Sequence, residues 1–162
     1  MSSEADPQAV PLREERLAAL GLLRATYLGV KPEDLAGKLA VLARSYSGCE
    51  AVAIRLRSGP DFPYAASLGF DPDFIRLENR LCALDEHGQV LRDEYRRPIH
   101  ECMCGIVLAG RVDPEKSYFS AKGSFFTLST SDLLGSIPEA ERPDRTRNRC
   151  HTAGYESVGL FP

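Results

Sequence analysis

The sequence predicts an α+β protein built around a mainly antiparallel sheet. Three observations carry that expectation. Two amphipathic helical stretches come first in the chain, the first strand signals are joined by a hairpin-type turn, and no strand–helix–strand alternation of the doubly wound kind follows. A length of 162 residues fits one domain, with residues 1–10 as a flexible leader and 11–162 as the folded part.

The elements follow in order. Pro11 precedes a helix over 12–28, with Glu14 and Glu15 near its positive end and Leu17, Leu20, Leu23 and Tyr27 at helical spacing. Pro32-Glu33-Asp34 opens a second helix that carries Leu35, Leu39, Leu42 and Tyr46 on one face, with Ala36, Ala40 and Ala43 beside them, and stops at Gly48. Residues 51–57 alternate, Val52, Ile54 and Leu56 on one side and Arg55 and Arg57 on the other, as a half-buried strand does. Ser58-Gly59-Pro60-Asp61 supplies turn residues, and 64–68 reads as the partner strand, closed by Gly69. Asp71-Pro72 is an N-cap followed by the position where a helix tolerates proline, so a short helix is expected to Glu78.

Regular patterning then stops. Residues 79–101 are polar and turn-rich, and a loop of that length in a compact domain usually serves a site or is disordered. Residues 102–109 read as a turn opening a short apolar helix and 124–128 as a strand; Ser131 or Asp132 is the expected cap of a further helical turn. Residues 138–149 look helical and charged, and 157–161 form a last strand. No internal repeat is visible.

Composition removes several function classes. Twenty Lys and Arg against 23 Asp and Glu give a net charge of -3, so no global basic field draws the surface onto nucleic acid or anionic lipid. Apolar stretches such as 17–23 fall well short of the roughly 20 residues a bilayer span needs. The acidic, polar start lacks the basic and apolar regions of a secretory signal, which places the chain in the cytoplasm. Walker loop, G-x-S-x-G, H-E-x-x-H and dinucleotide fingerprints are absent, as is the C-x-x-C-H haem attachment sequence.

Five cysteines in a reducing compartment point to metal ligation, redox chemistry or plain burial ahead of a disulfide framework. Cys102-x-Cys104, with Cys82 before and Cys150 after, offers four soft thiolates from three segments, a donor set that suits tetrahedral zinc or an iron-sulfur cluster. The pair at a helix start is physically sensible, because free amides there can donate to sulfur. The spacing lacks paired C-x2-C knuckles, so redox-active and inert thiols stay open as readings. Cys49, at a strand edge, reads as a small packed hydrophobe. His87 reads as solvated, whereas His100, two residues before Cys102, and His151, directly after Cys150, read as further ligands or as donors behind the ligands. Arg142, Arg145, Arg147 and Arg149, interrupted by Asp144, read mainly as a solvated helix face, with anion binding or compensation of thiolate charge as the other reading.

Several strings then resemble a known family. Gly48-Cys-Glu-Ala-Val-Ala-Ile-Arg-Leu-Arg57, Asp61-Phe-Pro-Tyr64 and Leu68-Gly-Phe70 look like the opening of a cysteine-containing GAF sensor domain of the type found in bacterial PAS/GAF histidine kinases. Leu81-Cys-Ala, Glu101-Cys-Met-Cys-Gly105, Gly123-Ser-Phe-Phe-Thr127, Arg145-Thr-Arg-Asn-Arg-Cys150 and Gly154-Tyr-Glu-Ser-Val158 are similar to that subgroup's later motifs, in the same order, over about 30–162. The resemblance implies a GAF core: a central antiparallel sheet with helices on both faces and long connections forming a pocket. It also implies a last strand and helix that this sequence lacks, and a small polar residue where His151 stands.

Cys82, Cys102, Cys104 and Cys150 match the subgroup's cysteines, and their chemistry makes them the expected ligands of an iron-sulfur cluster or zinc. The function then implied is a cytoplasmic sensory or regulatory module, not an enzyme, that responds to redox state, oxygen or a small ligand. Its output would come from another protein or domain, and it could form a homodimer through the N-terminal helix. Two alternatives stay open. One is a thiol reductase of GAF fold acting on free methionine sulfoxide, with Cys104 as nucleophile and Cys102 or Cys82 resolving; the other is a metal-free small-molecule or dimerisation module.

Overall fold

In this computed structural model the residues described are 17–24, 28–138, 142 and 145–162. The expected leader, Pro11, Glu14, Glu15, Tyr27 and Asp144 lie outside them. The class is mixed α+β, as expected, but the strands form two separate antiparallel pairs where the resemblance implies one central sheet. The chain divides into two compact units. One holds residues up to Leu56 together with Tyr64–Ile75; the other holds Arg57–Pro63 and Arg76–Pro162.

In the first unit, residues 17–24 are helical (α1) and expose Leu17, Leu20 and Leu23 by 60% or more, so the leucine stripe is not core. Helix α2 (Pro32–Ser47) starts with proline and two acids in its first turn. It ends where Gly48, at φ 67°, returns its N–H to the Arg44 carbonyl. Its fully buried residues are Ala36 and Ala40, while Leu39 and Tyr46 are exposed. The alanines let the helix approach β1 (Val52–Arg55) and β2 (Tyr64–Leu68), against which it packs.

Those strands pair Val52 with Leu68 and Ile54 with Ala66, and a bulge then sets Arg55 opposite Tyr64, its guanidinium 3.7 Å over the ring. Gly69, at φ 78°, is required because any Cβ there would run into the Glu50 carbonyl. Asp71 Oδ1 accepts from the Asp73 and Phe74 amides and caps α3 (Pro72–Glu78), within which the two units divide.

The second unit is built largely without regular strands. Residues 79–101 form no open loop but two tight turns of one design. Asp85 Oδ1 accepts from the His87 and Gln89 amides, and eight residues later Asp93 Oδ1 accepts from those of Tyr95 and Arg97. Ala83 N donates to Ile99 O, Ile99 N to Leu91 O and Leu91 N to Ala83 O, closing a ring of main-chain bonds among three residues spaced eight apart along the chain. This repeat corrects the expectation of none. It is carried by backbone geometry and the aspartates, with Asp-Glu as the one dipeptide both turns share.

Helix α4 (Cys102–Leu108) follows, then β3 (Phe125–Thr127), α5 (Thr130–Ser136), α6 (Arg149–Thr152) and β4 (Val158–Leu160). Strand β3 pairs with β4, burying Phe125 and Thr127 and leaving Phe126 exposed. The cap of α5 is Ser129, whose hydroxyl accepts from Asp132 N, two residues earlier than expected. The expected helix over 138–149 is also corrected: its described residues are non-helical until Arg149, since Arg145 and Asn148 take φ of 62° and 52°. Leu81, Cys82, Ala83, Val107 and Phe125 are the buried apolar centre of this unit.

Candidate functional site

The cysteines occupy three environments. Cys49 is exposed just beyond α2, its amide donating to Ser47 Oγ, which corrects the expectation that it packs as a hydrophobe.

The second environment surrounds Cys102. Residues 145–147 run against the start of α4, so that Cys102 N donates to Arg145 O and Arg147 N donates to Cys102 Sγ, each at 3.1 Å. Amide N–H groups aimed at sulfur are the contacts that ligating thiolates receive in metal centres. Cys102 itself has φ 61°, and with Arg145 and Asn148 it accounts for three of the four described non-glycine residues at positive φ. Left-handed backbone costs non-glycine residues on the order of 1–3 kcal/mol and persists only where surrounding contacts impose it.

Ion pairs at Arg147 and Arg149 flank this strained backbone. Glu78, buried at the end of α3, meets Arg149 Nε at 2.7 Å and an Arg147 terminal nitrogen at 3.3 Å; Arg147 Nε lies 3.3 Å from Glu101, and its other terminal nitrogen donates to Arg80 O. Burial works against the Arg147 charge, but Glu78, Cys102 and Glu101 outweigh it and raise its pKa. The expectation of a solvated arginine face is therefore corrected for Arg147, and Arg142 instead donates to the Leu134 and Ile137 carbonyls at the end of α5.

Cys150 completes this environment. Burial, followed by the nearby Cys104 and Cys102 sulfurs and then Glu78, pushes its thiol up to about 12. Cys104 and Cys102 thus bear on Cys150 electrostatically, but among the described residues the three sulfurs do not gather within 4.8 Å of one another as Asp61, Cys82 and His100 do. Gly105 makes the arrangement possible, since a Cβ there would come within 2.5 Å of the His100 carbonyl oxygen.

Cys82 belongs to the third environment, in which Asp61, Cys82 and His100 bring their ligand-type atoms within 4.8 Å of one another. The turn at 58–61 closes on itself through Ser58 N to Asp61 O and Asp61 N to Ser58 O. Asp61 Oδ1 then accepts from the amides of Phe62, Leu81 and Cys82 at 2.8, 3.0 and 2.9 Å. Burial raises the Asp61 carboxyl, but those amide donors outweigh it and hold its pKa below the ordinary value. The Cys82 thiol donates to Pro60 O at 3.0 Å; burial, then the Asp61 charge, lifts it to about 11. His100 Nε2 lies 2.9 Å from that same carbonyl, so it carries the proton.

The remaining histidines separate cleanly. His87 is solvated beside Glu86, as expected. His151 turns toward α5, its Nδ1 3.4 Å from Thr130 Oγ1 and 3.5 Å from Ser131 Oγ. Glu156 joins that corner, held at about 2 by the amide and hydroxyl of Ser131 and then by Ser129.

Asp61, Glu78 and Glu101 are the site residues that sequence reasoning missed as such. Asp61 was legible only as a turn residue, and nothing in the pattern of α3 marks Glu78 as buried. No protein-family profile, curated protein or solved structure matches the chain.

Proposed function

We propose that this chain is a sensory or regulatory module of the GAF type, with a sulfur centre at Cys102, Cys104 and Cys150 that takes an iron-sulfur cluster or zinc. The observation that supports it best is the Cys102 clamp, in which a strained helix start and an amide of the 145–147 segment converge on one sulfur. Soft thiolates are the donors both centres select, and Arg147 would offset part of their negative charge. Cys102 and Cys104 would be held by α4 and Cys150 by α6, so loading the centre would tie α4 to α6 and stabilise the fold. Reduction, oxidation or loss of the centre would release that tie, with the readout passed to a separate output protein or domain in the cytoplasm.

Purification without oxygen, with iron, zinc, acid-labile sulfide and the visible spectrum measured together, tests the reading. Stoichiometric metal that is lost in Cys102→Ser and Cys104→Ser is the expected result; full metal retention in both variants would sink it.

A second reading is favoured by the unequal surroundings of these sulfurs, since Cys102 accepts an amide N–H while Cys150 is held protonated. In a thiol reductase acting on free methionine sulfoxide, two cysteines would become one disulfide while the sulfoxide oxygen leaves as water. Turnover with a dithiol reductant in metal-free protein would favour it over the sensor.

A further inference from the structure

The geometry points to a second metal site, a mixed sulfur, nitrogen and oxygen centre for one divalent ion of the zinc class, formed by Asp61, Cys82 and His100 with the Pro60 carbonyl closing it. It is separate from the sulfur centre proposed above and removes Cys82 from that ligand set.

The donors already converge. Pro60 O lies 3.0 Å from Cys82 Sγ and 2.9 Å from His100 Nε2, and the ligand-type atoms of Asp61, Cys82 and His100 all lie within 4.8 Å of one another. Zinc bonds of about 2.0–2.3 Å in a tetrahedron set neighbouring ligand atoms roughly 3.5 Å apart. Entry of the ion therefore asks the carbonyl contacts to widen by about half an ångström, a side-chain adjustment that leaves the backbone in place.

That backbone is fixed from three directions. Cys82 and His100 face each other across an antiparallel bridge, and the 58–61 turn is tied to Leu81 and Cys82 through Asp61 Oδ1. Because three amides occupy Oδ1, the Asp61 carboxylate has its plane set in advance, the support that ligating carboxylates need. Phe62 packs edge-on against the His100 ring, 5.2 Å between centroids at 74°, and so fixes its orientation.

Charge and chemistry agree. The Asp61 carboxylate and a Cys82 thiolate would neutralise a divalent ion, and the soft sulfur with imidazole selects zinc-like ions over magnesium or calcium. Loading releases the Cys82 thiol proton; His100 would bind through Nε2 as its Nδ1–H tautomer, reached by proton exchange with solvent and with no net proton lost.

The test uses the full chain, reduced and metal-free, titrated with Co2+ under argon. One equivalent is expected to give visible d–d bands and a single sulfur-to-cobalt charge-transfer band. Asp61→Asn keeps an acceptor for the three amides and removes the anionic ligand; it should weaken that equivalent more than about 10-fold, as should His100→Gln. Cys104→Ser should leave it in place. Because Asp61→Asn or His100→Gln could fail to fold, zinc-edge X-ray absorption on Cys104→Ser protein carrying one equivalent, in which the three-thiol centre is broken, provides an independent reading. A shell of one sulfur with nitrogen and oxygen supports the site. Three or four sulfurs, no bound ion, or unaltered Co2+ affinity in folded Asp61→Asn and His100→Gln would overturn it. Loss of metal from the three-thiol centre alone would count against the proposed sensor and leave this site standing.

Discussion

Cys82 and Cys102 stand twenty residues apart, and the main chain treats them in opposite ways. Around Cys82 the nearest backbone group is a carbonyl, which accepts the thiol proton, and burial beside Asp61 lifts the group to about 11. Around Cys102 it is an amide, which donates to sulfur and brings the Arg147 charge with it. The same side chain is thus prepared for different chemistry by which end of a peptide unit faces it. The Cys82 environment rests on amide hydrogen bonds to one carboxylate; the Cys102 environment rests on strained backbone flanked by ion pairs around the buried Glu78.

Breaking the ion pairs should have the largest effect. Glu78→Ala removes the buried carboxylate that Arg147 and the half-exposed Arg149 share, and removal of one partner from a buried pair such as Glu78–Arg147 costs up to about 3–5 kcal/mol. Urea unfolding should report that loss, and the Cys102 sulfur should become more accessible to alkylation; unchanged stability would mean the arginines find water instead.

Next is the thiol comparison itself. At pH 8 a thiol near 11 has about 100-fold less thiolate than an ordinary one, and Cys150 near 12 has less again. In reduced, metal-free protein, mass spectrometry should find both alkylated at least that much more slowly than the same cysteines in urea. Equal rates would show that the two groups are not held protonated.

Asp61→Ala removes the shared acceptor of three amides and should destabilise the protein by about 2–3 kcal/mol, while Asp61→Asn should cost about 1 kcal/mol or less. The pH dependence sharpens this pair. Because the folded Asp61 pKa lies below its unfolded value, its contribution is full above the unfolded value near 3.9 and fades as pH falls through the lower folded value. The stability gap between wild type and Asp61→Asn should therefore narrow in acid, and a gap that widens there would reverse the assigned sign.

The smallest effect is expected at Glu156, away from both sulfur environments. Its folded value near 2 lies below the unfolded 4.5, so its contribution is present above about pH 4.5 and lost between there and pH 2. Urea midpoints of wild type and Glu156→Gln should converge across that window, and parallel curves would place the stabilising hydrogen bonds elsewhere.

The first unit was the more readable. Pro32 and Gly48 bracket α2 because one suits a helix start and the other a left-handed exit, and the alternation of 52–56 marks a strand, although Val52–Arg55 are all half-buried rather than alternately so. Even there, the packed face turned out to be Ala36 and Ala40, because distance of approach outweighs hydrophobicity when a helix lies on a two-stranded ribbon. In 79–101 the information lies in Asp85 and Asp93, whose side chains replace main-chain partners, and hydrophobic periodicity is blind to that substitution.

By itself, the sequence determined the α+β class, the bounds of α2, β2 and α3 to within a residue, and the restriction of candidate chemistry to four thiols and their neighbours. Only the tertiary structure decided how those thiols divide. Soft-ligand character is a property of the residue and can be read from its name. The polarity of the peptide group facing each sulfur, and the buried Glu78 that gathers two arginines, arise from contacts between segments distant in the chain, which no local pattern encodes.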